Sequence, residues 1–133
     1  MAGVEALLAR HGIEVAGYAA TRAPEIESVP STHAYLQGND GGYVDGRIYL
    51  NEEINEDCIA VVIVHELVHD ASVKYRLFAG VPNAEIKSVL EALADTITAA
   101  ASEDPFRPGC VRSRRLALGA ADLAKLAATA RSP

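Results

Sequence analysis

A chain of 133 residues, half of them hydrophobic, has room for one domain with a substantial core, and the reading is of a single domain over residues 1–133. The net charge of −6 comes without a basic stripe, which argues against nucleic acid as a partner. Only 5% of residues are aromatic and tryptophan is absent, so Ala, Val, Leu and Ile must build the core. Two cysteines, Cys58 and Cys110, support one bridge at most. No stretch has the apolar length of a membrane span, and the start lacks the basic and apolar blocks of a signal peptide. No membrane partner and a cytoplasmic location are the expectations; the oligomeric state is not legible.

In chain order, Ala2 to Arg10 reads as a short helix ended by Gly12. Ile13 to Thr21 alternates weakly and is expected as a strand. Arg22 to Ser31, with Pro24 and Pro30, is expected as loop, and Ala34 to Gln37 as a strand. Gly38 to Gly42 is turn chemistry. Tyr43 to Asn51 reads as a tight hairpin about Asp45-Gly46.

Cys58 to Val64 poses a conflict. Its β-branched run favours a buried strand by propensity. The apolar pattern continues through Leu67, Val68, Ala71 and Val73 to Leu77, which is too long for a strand. Asn55 followed by Glu56 and Asp57 is a good helix start, so one helix is expected from Glu56 to about Phe78, buried on most sides. Gly80-Val81-Pro82 breaks it, and Asn83 is expected to cap the next helix. There Ile86, Val89, Leu90, Leu93 and Ile97 form an apolar stripe at helical spacing. Ser102 to Gly109 is expected as loop, and Arg112 to Arg131 as a last amphipathic helix with an interruption near Gly119.

The chemistry centres on His65-Glu66-Leu67-Val68-His69. Residues four apart share one helix face, so two imidazoles at this spacing can hold one zinc ion, with Glu66 beside them as a general base. A catalytic zinc needs a third protein ligand, and no third histidine follows at short spacing. Folding the two helices antiparallel about Gly80 puts Glu91 level with His69 and Asp95 level with His65. Glu91 is thus the candidate third ligand, and Asp95 the candidate acceptor for a ring N–H of His65. Asp70 points away from the histidine face. Tyr35, Tyr43, Tyr49, Tyr75 and His33 are unranked candidates for stabilising an oxyanion, with Tyr75 off the metal face. Cys58 reads as a small core residue, and Cys110 as a loop thiol that could close over a metal.

His65-Glu66-Leu67-Val68-His69 followed by Glu91-Ala92-Leu93-Ala94-Asp95 resembles the gluzincin metallopeptidases, thermolysin-like zincins with Glu-x-x-x-Asp on the second helix. The distance from His69 to Glu91 is slightly longer than in thermolysin-like enzymes. Arg47 to Asn51 resembles the edge strand of small zincins, and the size suggests minigluzincins and the related ImmA/IrrE-like peptidases. The resemblance covers Gly41 to Asp95. It implies an α+β fold: a short mixed sheet with a hairpin edge strand, packed on an active-site helix and an antiparallel glutamate helix. It further implies a zinc metalloendopeptidase acting on polypeptides. His65, His69 and Glu91 would be the ligands, Glu66 the base, and Ile48, Tyr49 and Leu50 the strand that pairs with substrate. The competing expectation is a zinc-binding regulatory or latent protein on the same scaffold.

Overall fold

The computed structural model describes residues 1–101 and 118–131. Among them are α1 (Ala2–Arg10), α2 (Glu56–Lys74), α3 (Ile86–Ala101) and α4 (Ala120–Thr129), with strands β1 (Glu25–Val29), β2 (Gly41–Val44) and β3 (Arg47–Asn51). The class is α+β. No helix of the described residues is long and apolar enough to cross a membrane.

Helix α2 packs against α1 and α3 on one side and the sheet on the other. The Asn55 side chain accepts a hydrogen bond from the Asp57 N–H at 3.0 Å, and Glu56 and Asp57 place negative charge at the positive end of the helix. Its apolar residues surround the axis because it has a core on two sides. Val68 and Ala71, with Tyr75 just past its end, join α1 (Val4, Leu7, Leu8), α3 (Leu93, Ala94, Ile97) and Leu126 of α4. On the other side Val62 packs with Ile48 and Leu50 of β3. Burial of Val62 against the sheet, with Ile59 and Ile63 partly buried beside it, overrides the strand propensity of the Ile59–Val64 run.

The sheet has the order β1-β3-β2, with β1 parallel and β2 antiparallel to β3. Asp45 and Gly46 both have positive φ, 49° and 79°, which is the twist a two-residue hairpin needs. Ile48 and Leu50 face α2; Tyr49 between them faces the other way. The expectation that Ile48, Tyr49 and Leu50 form an edge strand is corrected here. β3 is the central strand, so its main chain is taken on both sides and the two edges are β1 and β2.

Edge strand β2 begins Gly41-Gly42, and both glycines are required by contact. A Cβ on Gly41 would sit 2.5 Å from Val62 Cγ1 of α2, and one on Gly42 would sit 2.4 Å from the Tyr35 carbonyl oxygen on the opposite face. The pair that reads as turn chemistry is a strand squeezed between a helix and a loop.

Asp70 ties three parts of the chain together. It is wholly buried, and its carboxylate accepts from the Tyr43 hydroxyl of β2 at 2.7 Å and the Tyr18 hydroxyl at 2.8 Å. Lys74 lies 2.9 Å away, one turn on, and also donates to Thr21 Oγ1 and the Arg22 carbonyl. A buried carboxylate is tolerable only when so paired. Burial, together with the Asp70 contact, drives both phenols well above the ordinary tyrosine range, so they remain donors.

Other expectations change as well. Ile13 to Thr21 is not a strand: Ile13, Val15 and Tyr18 are buried, but Gly17 at φ 83° turns the chain into a short 3-10 turn. β1 lies inside the expected loop, where exposed Glu-Ile-Glu-Ser hides a strand paired along one edge. Ala34–Leu36 is a 3-10 turn rather than a strand. α2 ends at Lys74, with Arg76 at φ 52° reversing the chain before the expected end. Asn83 lies inside a 3-10 turn leading into α3 instead of capping it. α4 starts at Ala120 after Gly119; the expected helix from Arg112 and loop from Ser102 fall largely outside the described residues.

Two stability tests follow from these contacts. Gly41→Ala should cost about 1–3 kcal/mol in urea unfolding. Val62→Ala added to it should cost less than the two single changes summed, because the clash partner is gone; strict additivity would deny the contact. Asp70→Ala removes the acceptor of the Tyr43 hydroxyl, one of the two acceptors of the Tyr18 hydroxyl and the carboxylate partner of Lys74, and should cost about 2 kcal/mol or more, a loss below about 1 kcal/mol being the contrary result.

Candidate metal centre

His65 and His69 project from one face of α2 with their Nε2 atoms 3.3 Å apart. Glu91 of α3 faces them, Oε2 at 3.2 Å from His65 Nε2 and Oε1 at 2.9 Å from His69 Nε2. Asp95, one turn further along α3, lies 3.4 Å from His65 Nδ1. The antiparallel packing of α2 and α3 therefore brings all four side chains together, with Glu91 reaching both rings.

The ligand atoms of His65, His69 and Glu91 lie within 4.8 Å of one another. Two bonds of about 2.0–2.1 Å at a tetrahedral angle span about 3.3–3.4 Å, close to the separation of the two imidazole nitrogens. The donor set, two neutral nitrogens and one carboxylate, suits zinc and other borderline divalent ions. All three side chains are part-exposed. The group can hold a metal ion.

The electrostatics of the site are those of ligands held together by protons. Hydrogen bonding from His65 and then His69 holds Glu91 well below the usual carboxylate range, against the opposing effect of burial. Burial pulls His65 down, but the Glu91 hydrogen bond and the charges of Glu66, Glu91 and Asp95 outweigh it, and its net shift is upward.

Glu66 differs from all of these. It is 5% exposed, and no hydrogen bond or ion pair engages its carboxylate among the described residues. Burial raises its pKa, partly countered by His65 and His69. A Cβ on Gly41 would sit 3.4 Å from Glu66 Oε1, so this carboxylate lies against the main chain of β2, which is an edge strand.

None of the five oxyanion candidates makes a hydrogen bond or ring contact with His65, His69 or Glu91. Tyr43 gives its hydroxyl to Asp70 and Tyr75 to the Ala16 carbonyl, 2.7 Å each. His33, Tyr35 and Tyr49 cluster on the far face of the sheet, with ring centroids 5.1–5.4 Å apart. Cys58 is buried and disulfide-bonded, so it offers no thiolate. The Cys110 loop lies outside the described residues. What the sequence reading missed is the Asp70 network and the approach of Gly41 to Glu66; a doubled glycine ahead of a hairpin was the available signal for the second.

Compared with protein families, with curated proteins and with solved structures, the chain matches none of them.

Metal binding should be lost in His65→Ala and His69→Ala and weakened further by Glu91→Ala than by Asp95→Ala, whose class of partner typically contributes 10–100-fold. Chelator competition measures this, and an unaffected Glu91→Ala would remove that residue from the site. The metal-free protein carries a pH signature. The raised His65 stabilises the fold below its ordinary value of 6.5, and this is lost as pH rises through the folded value. The depressed Glu91 stabilises above its ordinary value of 4.5, and this is lost as pH falls through the folded value. The thermal midpoint of the metal-free chain should therefore peak between about pH 4.5 and 6.5, and Glu91→Gln should flatten that peak.

Proposed function

We propose that this chain is a zinc-dependent metallopeptidase of the gluzincin type, acting on extended polypeptide on a zincin-like scaffold. The observation that carries the reading is Glu66, a buried carboxylate with raised pKa and no hydrogen-bond partner, beside a His65/His69/Glu91 group that fits a metal ion. A structural metal site needs no such group, and a largely buried carboxylate of raised pKa beside a metal-ligand group is placed for proton transfer.

His65, His69 and Glu91 would hold the ion, which when bound supplies Lewis acidity toward a carbonyl and makes a water more acidic. Glu66 accepts the proton of the attacking water and returns it to the leaving amine. Its raised pKa suits both halves of that transfer. Asp95 beside His65 Nδ1 holds that ring so that Nε2 faces Glu91. β2, not β3, is the strand with a free edge beside Glu66, so an extended substrate would pair along Gly41–Val44. The close approach of β2 to α2 at Gly41 sets the height of that substrate over the general base.

Glu66→Gln keeps the shape and removes the basic carboxylate. The zinc-loaded variant should keep the metal stoichiometry and fold of the wild type while its cleavage of unfolded casein falls about 10²–10⁴-fold. Wild-type protein that binds one zinc and leaves casein, and a panel of other unfolded chains, uncut would favour a metal-binding regulatory protein instead.

A further inference from the structure

We propose that the outer edge of β1 is a docking edge for an extended polypeptide segment in which basic and apolar residues alternate. β1 hydrogen-bonds to β3 along one side and has no strand on the other among the described residues. Glu25, Ile26, Glu27 and Ser28 are all exposed, and Ile26 is 50% exposed although it is aligned with wholly buried Ile48. Its main-chain groups are a template for another strand.

The side chains state which strand fits. Glu25 and Glu27 lie on the outer face with Arg47, whose guanidinium reaches them at 2.7 and 3.3 Å. One guanidinium thus serves two carboxylates, and the face stays negative. Glu52, exposed and donating its N–H to the Val29 carbonyl, continues the acidic line at the end of the strand. Arg47 stands opposite Glu25 in register, so the cross-strand pairing expected on the free side already exists on the paired side. An incoming lysine or arginine at alternate positions would neutralise Glu25 and Glu27, and the apolar residue between them would cover Ile26.

The same pattern disfavours a second copy of this chain. Antiparallel self-pairing about Ile26 sets Glu25 of one copy against Glu27 of the other, and pairing about Glu27 sets that residue against itself; like charges directly opposite destabilise a sheet. Pro24 and Pro30 bracket the strand and limit pairing to this short stretch. A segment docked here is separated from β2 by both β1 and β3, roughly 14 Å across three strand spacings, so it does not lie at Glu66. The edge serves to hold a partner or a remote part of a long chain, and the proposal does not depend on peptidase activity.

The test is an amide chemical-shift titration of the isotopically labelled full chain with an acetylated heptapeptide alternating lysine and valine. Shifts should concentrate on residues 25–29, and the affinity should fall as salt rises from about 0.05 to 0.5 M. Glu25→Lys combined with Glu27→Lys, two exposed sites that leave the fold intact, should weaken binding about tenfold. A glutamate–valine peptide should not bind. Shifts confined to residues 41–44, no shifts at all, equal binding of the acidic peptide, or self-association of the wild type that the double variant abolishes would each overturn the assignment.

Discussion

The contact between Glu91 and the two histidines is the point on which the site depends. It joins the two helices that bring three ligand atoms together among the described residues, and it does so with one carboxylate reaching both rings, at 3.2 and 2.9 Å. Without metal, this arrangement holds through hydrogen bonds in which a low carboxylate pKa and a raised imidazole pKa reinforce each other. A divalent cation bound here would replace the shared proton with a stronger common partner. The same geometry thus serves the fold and can hold a metal ion.

Around that contact the chain spends unusual resources on fixing α2. A helix with a core on both sides cannot rotate without opening one of them. Asp70 adds polar ties to the N-terminal segment through Tyr18 and to β2 through Tyr43, on the residue next to His69. Gly41 and Gly42 then let β2 press against α2 without a side chain between them. In a chain with 5 tyrosines, three are committed to holding backbone or Asp70, which shows how much of the polar inventory is structural. Glu66 is the exception, a largely buried acid whose carboxylate makes no hydrogen bond among the described residues.

Much of this was legible in the sequence because it rests on periodicity. The spacing of His65 and His69, the cap at Asn55, the stripe from Ile86 to Ile97 and the Asp45-Gly46 turn are local patterns with local causes. Counting outward from Gly80 placed Glu91 and Asp95 beside the histidines since helix rise is regular. Long-range pairing was not legible. β1 reads as loop because a half-exposed edge strand carries no apolar alternation, and that omission turned β3 from a central strand into an expected edge. Ile13 and Val15 alternate like a strand but are buried without a ladder. Asp70 gave no sign of its partners, which lie 27 and 52 residues away in the chain.

The two edges of the described sheet differ in character. β2 lies against Glu66 and is glycine-rich; β1 lies on the far side, acidic and exposed. The central claim concerns the first of these sites, and anomalous diffraction at the zinc absorption edge from crystals of the zinc-loaded chain tests it most directly. One peak about 2.0–2.1 Å from His65 Nε2, His69 Nε2 and a Glu91 oxygen is the expected result. A peak elsewhere, or none at full zinc saturation, would contradict it.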